Sequence, residues 1–429
     1  MVNGSTSNRM NVVVFSEGYT TNQLAQFLAD ATNAVHALLA NPPYCEYRAY
    51  FNAYSISVAS KETGSDHPAW PQYRDTYFDS RYDGYLITIP AGTQGQGKVD
   101  ALLQALMPEC DLPILLVNDT FYGGSANPGG SGGRLLIASI HGDSPELLAH
   151  ESGHTLAGLG DEYEDPYPGY PDTEEPNTTR ETRREFVKWK AWIAPTTPLP
   201  TPPTYEYVET VGLFEGAHYQ PTDWYRPKLN CKMRTLYSPF CEVCSEALVL
   251  SLYRKVRPVD DFLPAGTTLS VTSTQAVLFS LTPLQPATHN LDVQWFTNGM
   301  PVIGAVGFTL TLLPQWLDNG THTVRADVKD NTPLARIDPT NRLTQSVSWL
   351  VNVNALPELR LGAPSWLSQG GVYFQVTGRA PNGFVLQGSA DLRNWVSLST
   401  NFLSDGQFSY TNYDTTNFTR HFFRALARP

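Results

Sequence analysis

No stretch of this chain is apolar for long enough to cross a membrane. The opening residues, MVNGSTSNRM, lack the basic-then-apolar order of a secretory leader. Basic residues are in deficit: 29 Lys and Arg against 41 Asp and Glu leave a formal net charge of −12. That balance argues against nucleic acid or an anionic membrane as a partner. Cysteine is scarce, five in 429 residues, so at least one thiol stays unpaired in any disulfide scheme. The glycine-rich segment YGGSANPGGSGG, 122–133, has no Lys of a phosphate loop, which speaks against ATP. It reads instead as the rim of a cleft. The acidic tract DEYEDPYPGYPDTEEP, from residue 161, does not follow the spacing of an EF-hand, and its carboxylates leave a structural Ca2+ open.

What is present describes a globular protein, 41% hydrophobic and 12% aromatic. The length is too great for one core and suggests about three domains. NVVVFSEGY, 11–19, reads as a buried strand, and Thr20 or Thr21 then caps a helix buried through Leu24, Phe27, Ala31, Val35 and Leu38. Further strands are expected at Phe51 to Val58, at YLITI (85–89) and at LPILLVND (112–119), the last two covered on both faces. VKWKAWI, 187–193, reads as a short helix or strand, and a helix is expected from Glu242 to about Lys255. From about residue 262 the pattern changes to short alternating runs with turn signals: LSVTS, AVLFSL, LDVQWFTNG, FTLTLL, HTVRADVKD and VSWLVNV. The expected division is 1–258, 259–354 and 355–429.

The densest chemistry lies in HESGHTLAGLGDEY, 150–163. At 3.6 residues per turn His150 and His154 project from one helix face, where two neutral imidazoles can grip one divalent ion. Glu151 then lies beside the ion, not on it. Ser144 is expected to cap this helix, Pro145 to take its first position and Glu146 to suit its positive end. Gly158 and Gly160 break it and turn the chain back. A zinc ion lowers the pKa of a bound water to about 7, and Glu151 would take that proton and return it to the leaving amine.

Two histidines leave zinc one protein ligand short. Asp161 and Glu162 stand nearest. Asp161, beyond the bend as in a metzincin site though one residue later than the usual spacing, is preferred. A gluzincin-type arrangement would draw on Glu215 or Glu246; His67, His141 and His218 are remoter alternatives. In NCKMRTLYSPFCEVC, 230–244, Met233 is placed to be the methionine of a tight turn beneath the metal. Cys231, Cys241 and Cys244 have two readings. A disulfide from Cys231 to Cys241 or Cys244 is preferred for an exported protein, and a second zinc site would need Cys45 or Cys110 as its fourth ligand. Tyr219, Tyr225 and Tyr237 are candidates to support a developing oxyanion.

These pieces, with FSEGYT (15–20), FNAYSISVASKETGSDHP (51–68), FYGGSANPGGSGG (121–133), EPN (175–177) and VGLFEGAHY (211–219), make residues 11–255 resemble the IgA-peptidase family of zinc metalloendopeptidases, a metzincin-like group. The resemblance implies His150 and His154 as zinc ligands and Glu151 as general base, with Asp161 in the family's GLxDEY segment. The implied fold is an α+β (α/β-like mixed sheet) metzincin-like zinc peptidase domain followed by two all-β sandwich-like modules. The Trp of DVQWF before an NG turn resembles the middle of an Ig-like or PKD-like sandwich. FVLQGSADLRNWVSLST and HFFRALA resemble a C-terminal β module of exported bacterial proteins. The expected activity is hydrolysis of protein or glycoprotein by a monomer that is secreted, at the cell surface or periplasmic, its leader removed ahead of Met1. Nothing in the residues points to immunoglobulin A itself. The alternatives are a binding or adhesion protein on a retired peptidase scaffold, its β modules recognising glycan or protein, and a zinc amidase or deacetylase.

Overall fold

The computed structural model describes residues 1–127, 135–272, 275–314, 317–354, 358–404, 406–413 and 420–428. The expected rim at 122–133 lies outside them from residue 128 onward. The chain forms two compact units. The first comprises Met1–Asp260 with Leu284–Leu291 and Lys329–Gln345. Its elements in order are β1 (Met10–Glu17), α1 (Leu24–Leu38), β2 (Phe51–Ile56), β3 (Arg81–Asp83), β4 (Leu86–Thr88), α2 (Gln96–Leu106), β5 (Leu112–Val117), β6 (Gly124–Asn127), β7 (Leu135–Ser139), α3 (Ser144–Ala157), β8 (Phe214–Ala217), β9 (Gln220–Arg226) and α4 (Glu242–Leu252).

A five-stranded sheet in the order β2-β1-β5-β7-β6 organises this unit. All its pairings are parallel except β6 against β7. Successive side chains of a strand point to opposite faces, and the core divides accordingly. Val12, Val14, Ile114, Leu116, Leu136 and Ala138 join the apolar faces of α1, α3 and α4. Val13, Phe15, Leu115, Val117, Leu135 and Ile137 join Val99 and Leu103 of α2. Both faces are covered, so β1, β5 and β7 read as continuous apolar runs. The first unit is a mixed α/β structure.

Two expectations need correcting. YLITI is not a strand of the sheet: Leu86–Thr88 closes a hairpin on Arg81–Asp83 across Gly84, whose φ is +61°. Only Ile87 is fully buried there, while Tyr85 and Leu86 are exposed, so an apolar run of this length did not separate a covered strand from a hairpin. The place beside β5 belongs to LLIAS, 135–139, which pairs Ile114 with Leu136. The cap of α3 also differs. Asp143 precedes the first helical residue and makes no side-chain cap bond, whereas Ser144 is already helical. Pro145 and Glu146 do occupy the first turn, and Gly158 ends the helix at φ +64°.

The second unit comprises Asp261–Pro283, Asp292–Val328 and Ser346–Pro429, and all six expected runs between 268 and 354 are strands. One sheet orders Val259–Leu263, Val277–Pro283 and Thr309–Leu312. The other orders Thr268–Thr272, Thr344–Asn354, Gly320–Lys329, Asp292–Thr297 and Met300–Pro301. The Asn298-Gly299 turn takes positive φ at both residues, as its sequence requires. Trp295 and Trp349 stack at 5.9 Å, and Phe279 of the first sheet packs edge-on against Trp349. Beyond residue 358, Val372–Thr377 and Phe384–Ser389 centre two smaller sheets around Phe374, Phe384 and Leu386.

Within the first unit Asp330 is fully buried and accepts from Tyr47 at 2.8 Å, Tyr253 at 2.7 Å and His289 Nε2 at 2.5 Å. His289 Nδ1 meets Glu46 at 2.8 Å, so the ring donates at both nitrogens only when charged. Burial alone would lower its pKa, but the hydrogen bonds and charges of Asp330 and Glu46 raise it. A raised folded pKa gives stability that is complete below the unfolded value of about 6.5 and disappears as pH rises through the folded one. Asp330→Ala is expected to cost about 3 kcal/mol in urea unfolding. His289→Ala is expected to flatten the loss of stability above neutral pH, and an unchanged pH profile would refute the assignment.

Candidate metal centre

α3 holds His150 and His154 one turn apart, with the Nε2 atoms 3.2 Å from each other. Each ring is fixed from behind by a backbone carbonyl. His150 Nδ1 donates to Lys232 O at 2.9 Å and His154 Nδ1 to Leu159 O at 2.6 Å. A carbonyl can only accept, so the Nδ1 protons are set and both Nε2 atoms present lone pairs. After Gly158 the chain returns, and Asp161 Oδ1 comes within 3.2 Å of His150 Nε2 and 3.3 Å of His154 Nε2. The left-handed turn at Gly158 redirects the chain before Asp161.

The returning segment is held on every side. Asn177, fully buried, donates to Gly160 O at 2.9 Å and accepts from Gly160 N at 2.7 Å. His218 N bonds to Asp161 O, Glu162 N to Met233 O and Tyr219 N to Tyr163 O, at 3.0, 3.0 and 2.9 Å. Tyr219 donates to Asp161 Oδ2 at 2.5 Å, leaving Oδ1 for the histidines. His218 and Tyr219 reach this position through a tight β8–β9 turn, both at positive φ (58° and 57°). Met233 lies buried beneath α3, and a Cβ on Gly153 would stand 2.9 Å from its sulfur. A side chain at Gly153 would therefore press on Met233, Leu159 and Phe240, a constraint the sequence motif alone did not single out.

Three lone-pair atoms, two imidazole nitrogens and a carboxylate oxygen, thus converge with no proton supplied by either ring. Asp161 Oδ1 is buried with no hydrogen-bond donor. Such a cluster needs one positive charge, a proton or a metal ion. Without metal, burial opposes charging His154, but the hydrogen bond and charge of Asp161 outweigh it and push its pKa up to about 9. Burial likewise opposes the ionised Asp161, yet the two histidines hold its carboxyl well below the usual range. The donor set, two nitrogens and one oxygen, fits a divalent ion such as zinc.

A cleft of about 600 Å³ opens over the cluster. Glu151 lines it, half-buried, and among the described residues makes no hydrogen bond or ion pair. Tyr122, Tyr163, Tyr167, Tyr170 and Tyr219 form much of the wall, and Leu86 and Gly124–Ala126 line it as well. Tyr163, inside the motif but not expected in the site, stacks towards His150 at 6.2 Å. Of the three tyrosines proposed from sequence, Tyr219 alone lines this cleft: Tyr237 is exposed against Asp143, and Tyr225 lies in β9.

The remaining candidates are elsewhere. His67 bonds Asp119 at 2.9 Å, His141 faces Asp143, and His218 bonds Glu175 at 2.9 Å while stacking on Trp224. Glu215 is exposed in β8, and Glu246 accepts from Trp192. Glu162 turns away from the histidines and joins Cys231, Cys241 and Cys244 in a second buried group of donors. Burial pushes its carboxyl well above the usual range. All five cysteines are free, so the expected disulfide is not formed, and neither Cys45 nor Cys110 belongs to the thiol group. The acidic tract gathers no calcium-like cluster among the described residues: Asp172 pairs with Arg180, Glu174 with Lys188 and Glu175 with His218.

The geometry makes Asn177 the residue that positions Asp161. Asn177→Ala would leave Gly160 N and O buried and unpaired, at a cost of about 2 kcal/mol or more. Thermal unfolding of the metal-free protein is expected to register that loss, and metal affinity to fall with it. A variant matching the parent in both would show that the loop holds itself.

Among solved structures, the chain is similar to the apo structure of Bacteroides uniformis beta-glucuronidase 3, at 11% identity and TM-score 0.15, over 51% of this chain and 30% of that chain. It is also similar to a chain of the chaperone–tip adhesin complex in CFA/I fimbriae biogenesis, at 10% identity and TM-score 0.16, over 38% of this chain and 94% of that one. Overlap that slight carries no argument about fold or function. No curated protein matches the chain. The family model described as IgA Peptidase M64 matches residues 1–210 and 204–252, the segments that build the sheet, α3, the returning loop and α4. More than half of the sequence is covered by that match, and the chain belongs to the IgA Peptidase M64 family.

Proposed function

We propose that the protein is a secreted, zinc-dependent endopeptidase of metzincin-like type acting on protein or glycoprotein. The observation that carries this reading is the convergence of His150 Nε2, His154 Nε2 and Asp161 Oδ1 in a buried cluster at the floor of a cleft, three donor atoms whose lone pairs call for a cation. Family membership supports the peptidase part. His150, His154 and Asp161 would hold the ion, and Met233 would be the methionine of the turn beneath it. When bound, zinc supplies Lewis acidity, polarising a carbonyl and lowering the pKa of water to about 7. Glu151, unpaired in the cleft wall, takes the proton of the attacking water and delivers it to the leaving nitrogen. Tyr219 holds Asp161 in register through Oδ2, and Tyr163 offers a hydroxyl from the same wall. The strands of 259–354 and 355–429 act in this reading as modules that space or dock the peptidase domain of 1–258.

Glu151→Ala is expected to retain zinc and lose cleavage by at least about 100-fold. Mass-spectrometric mapping of cleavage sites in a glycoprotein digest, parent against variant, checks this. Full metal content with no turnover by the parent protein would instead favour a binding role. Zinc uptake should also release a proton. Because His154 is raised to about 9 in the metal-free cluster, it is charged at neutral pH and must give up that proton. With the thiol group removed, as in Cys241→Ser/Cys244→Ser, calorimetry in buffers of different ionisation enthalpy is expected to count at least about one proton below pH 7, before ionisation of water at the metal adds to the count, and a count near zero there would refute a charged His154.

A further inference from the structure

We propose that Cys231, Cys241, Cys244 and Glu162 form a second zinc site, closed and structural, that ties the returning loop to the N-terminus of α4. One donor atom from each residue lies within 4.8 Å of all the others, and all four residues are buried. Cys231 Sγ and Cys244 Sγ are 3.6 Å apart, and Cys244 Sγ lies 3.8 Å from Glu162 Oε1. Two sulfurs each about 2.3 Å from a tetrahedral zinc stand about 3.8 Å apart, so the thiols already have the spacing of ligands. A disulfide would need about 2.0 Å.

The surroundings also ask for a cation. Glu162 is fully buried, its Oε1 accepts from Asn177 at 2.9 Å, and its Oε2 has no hydrogen-bond partner. Arg234 spends one nitrogen on the backbone oxygen of Glu162 and another on Glu164, and the buried Arg226 spends its own on the backbone oxygens of Glu215 and Gly216, so neither bonds the Glu162 carboxyl directly. Cys241 N donates to Cys231 Sγ at 3.3 Å, the kind of backbone contact that steadies a thiolate ligand. Cys241 and Cys244 occupy the cap and first turn of α4, where the positive helix end favours thiolates. Three sulfurs and one carboxylate oxygen select zinc over calcium or magnesium. The four ligands leave no open position, which distinguishes a structural role from a catalytic one.

Its ligands are distinct from those of the histidine cluster, and cobalt separates the two sites. Reduced, metal-free protein loaded with Co2+ is expected to show a strong near-ultraviolet thiolate-to-cobalt band. The band should persist in His150→Ala/His154→Ala and disappear in Cys241→Ser/Cys244→Ser. Elemental analysis is expected to find about two zinc ions per chain in the parent and about one in either double variant. If the cysteine variant does not fold, the parent and the histidine variant still decide. A folded, reduced parent without the thiolate band overturns the proposal. So does a thiol titration showing Cys231 and Cys244 oxidised to each other. In the parent, a thiolate band with only about one metal ion per chain, the intact histidine cluster taking up none, would sink the peptidase reading and leave this one standing.

Discussion

Two imidazole nitrogens and a carboxylate oxygen within about 3.3 Å of one another in a buried place must share a positive charge, either a proton or a metal ion. Much of the first unit serves to hold them there. The carbonyls of Lys232 and Leu159 fix the two rings, and Asn177 fixes the chain that brings the carboxylate. Gly153 gives Met233 access to the underside of α3. The sheet supplies the platform, because β5 and β7 are packed on both faces and α3 lies against one of them.

What the sequence made legible follows from periodicity and from chemistry that needs close spacing. His150 and His154 are four apart on a helix with Pro145 in its first turn and Gly158 after its last, and local geometry alone brings them together. The alternating runs beyond residue 262 gave their strands because a half-buried strand shows its period directly. YLITI failed for the opposite reason, being apolar without alternation and too short to tell its setting. LLIAS is a five-residue apolar run without alternation that follows a glycine-rich segment, so its period gives no strand signal.

The rest of the centre is assembled from residues far apart in sequence. Asn177 and Tyr219 act on Gly160 and Asp161 across 17 and 58 positions. No spacing rule predicts such partners, although EPN and VGLFEGAHY marked their neighbourhoods. Glu162 shows the limit most clearly. As a neighbour of Asp161 it looked like a rival for the same ion, but alternate residues of an extended segment face opposite ways, and its side chain meets the thiols instead.

The run Cys231–Arg234 has four jobs in four consecutive residues. Cys231 faces the thiols, the Lys232 carbonyl holds His150, Met233 supports α3, and Arg234 grips the backbone of Glu162. Lys232, itself buried, adds an ion pair to the half-buried Glu146 at the start of α3. A shift of register by one residue would break all of these contacts together. This tetrapeptide is thus a keystone: an insertion or deletion within it would displace a thiol, a histidine support, the floor of α3 and the grip on Glu162 at once.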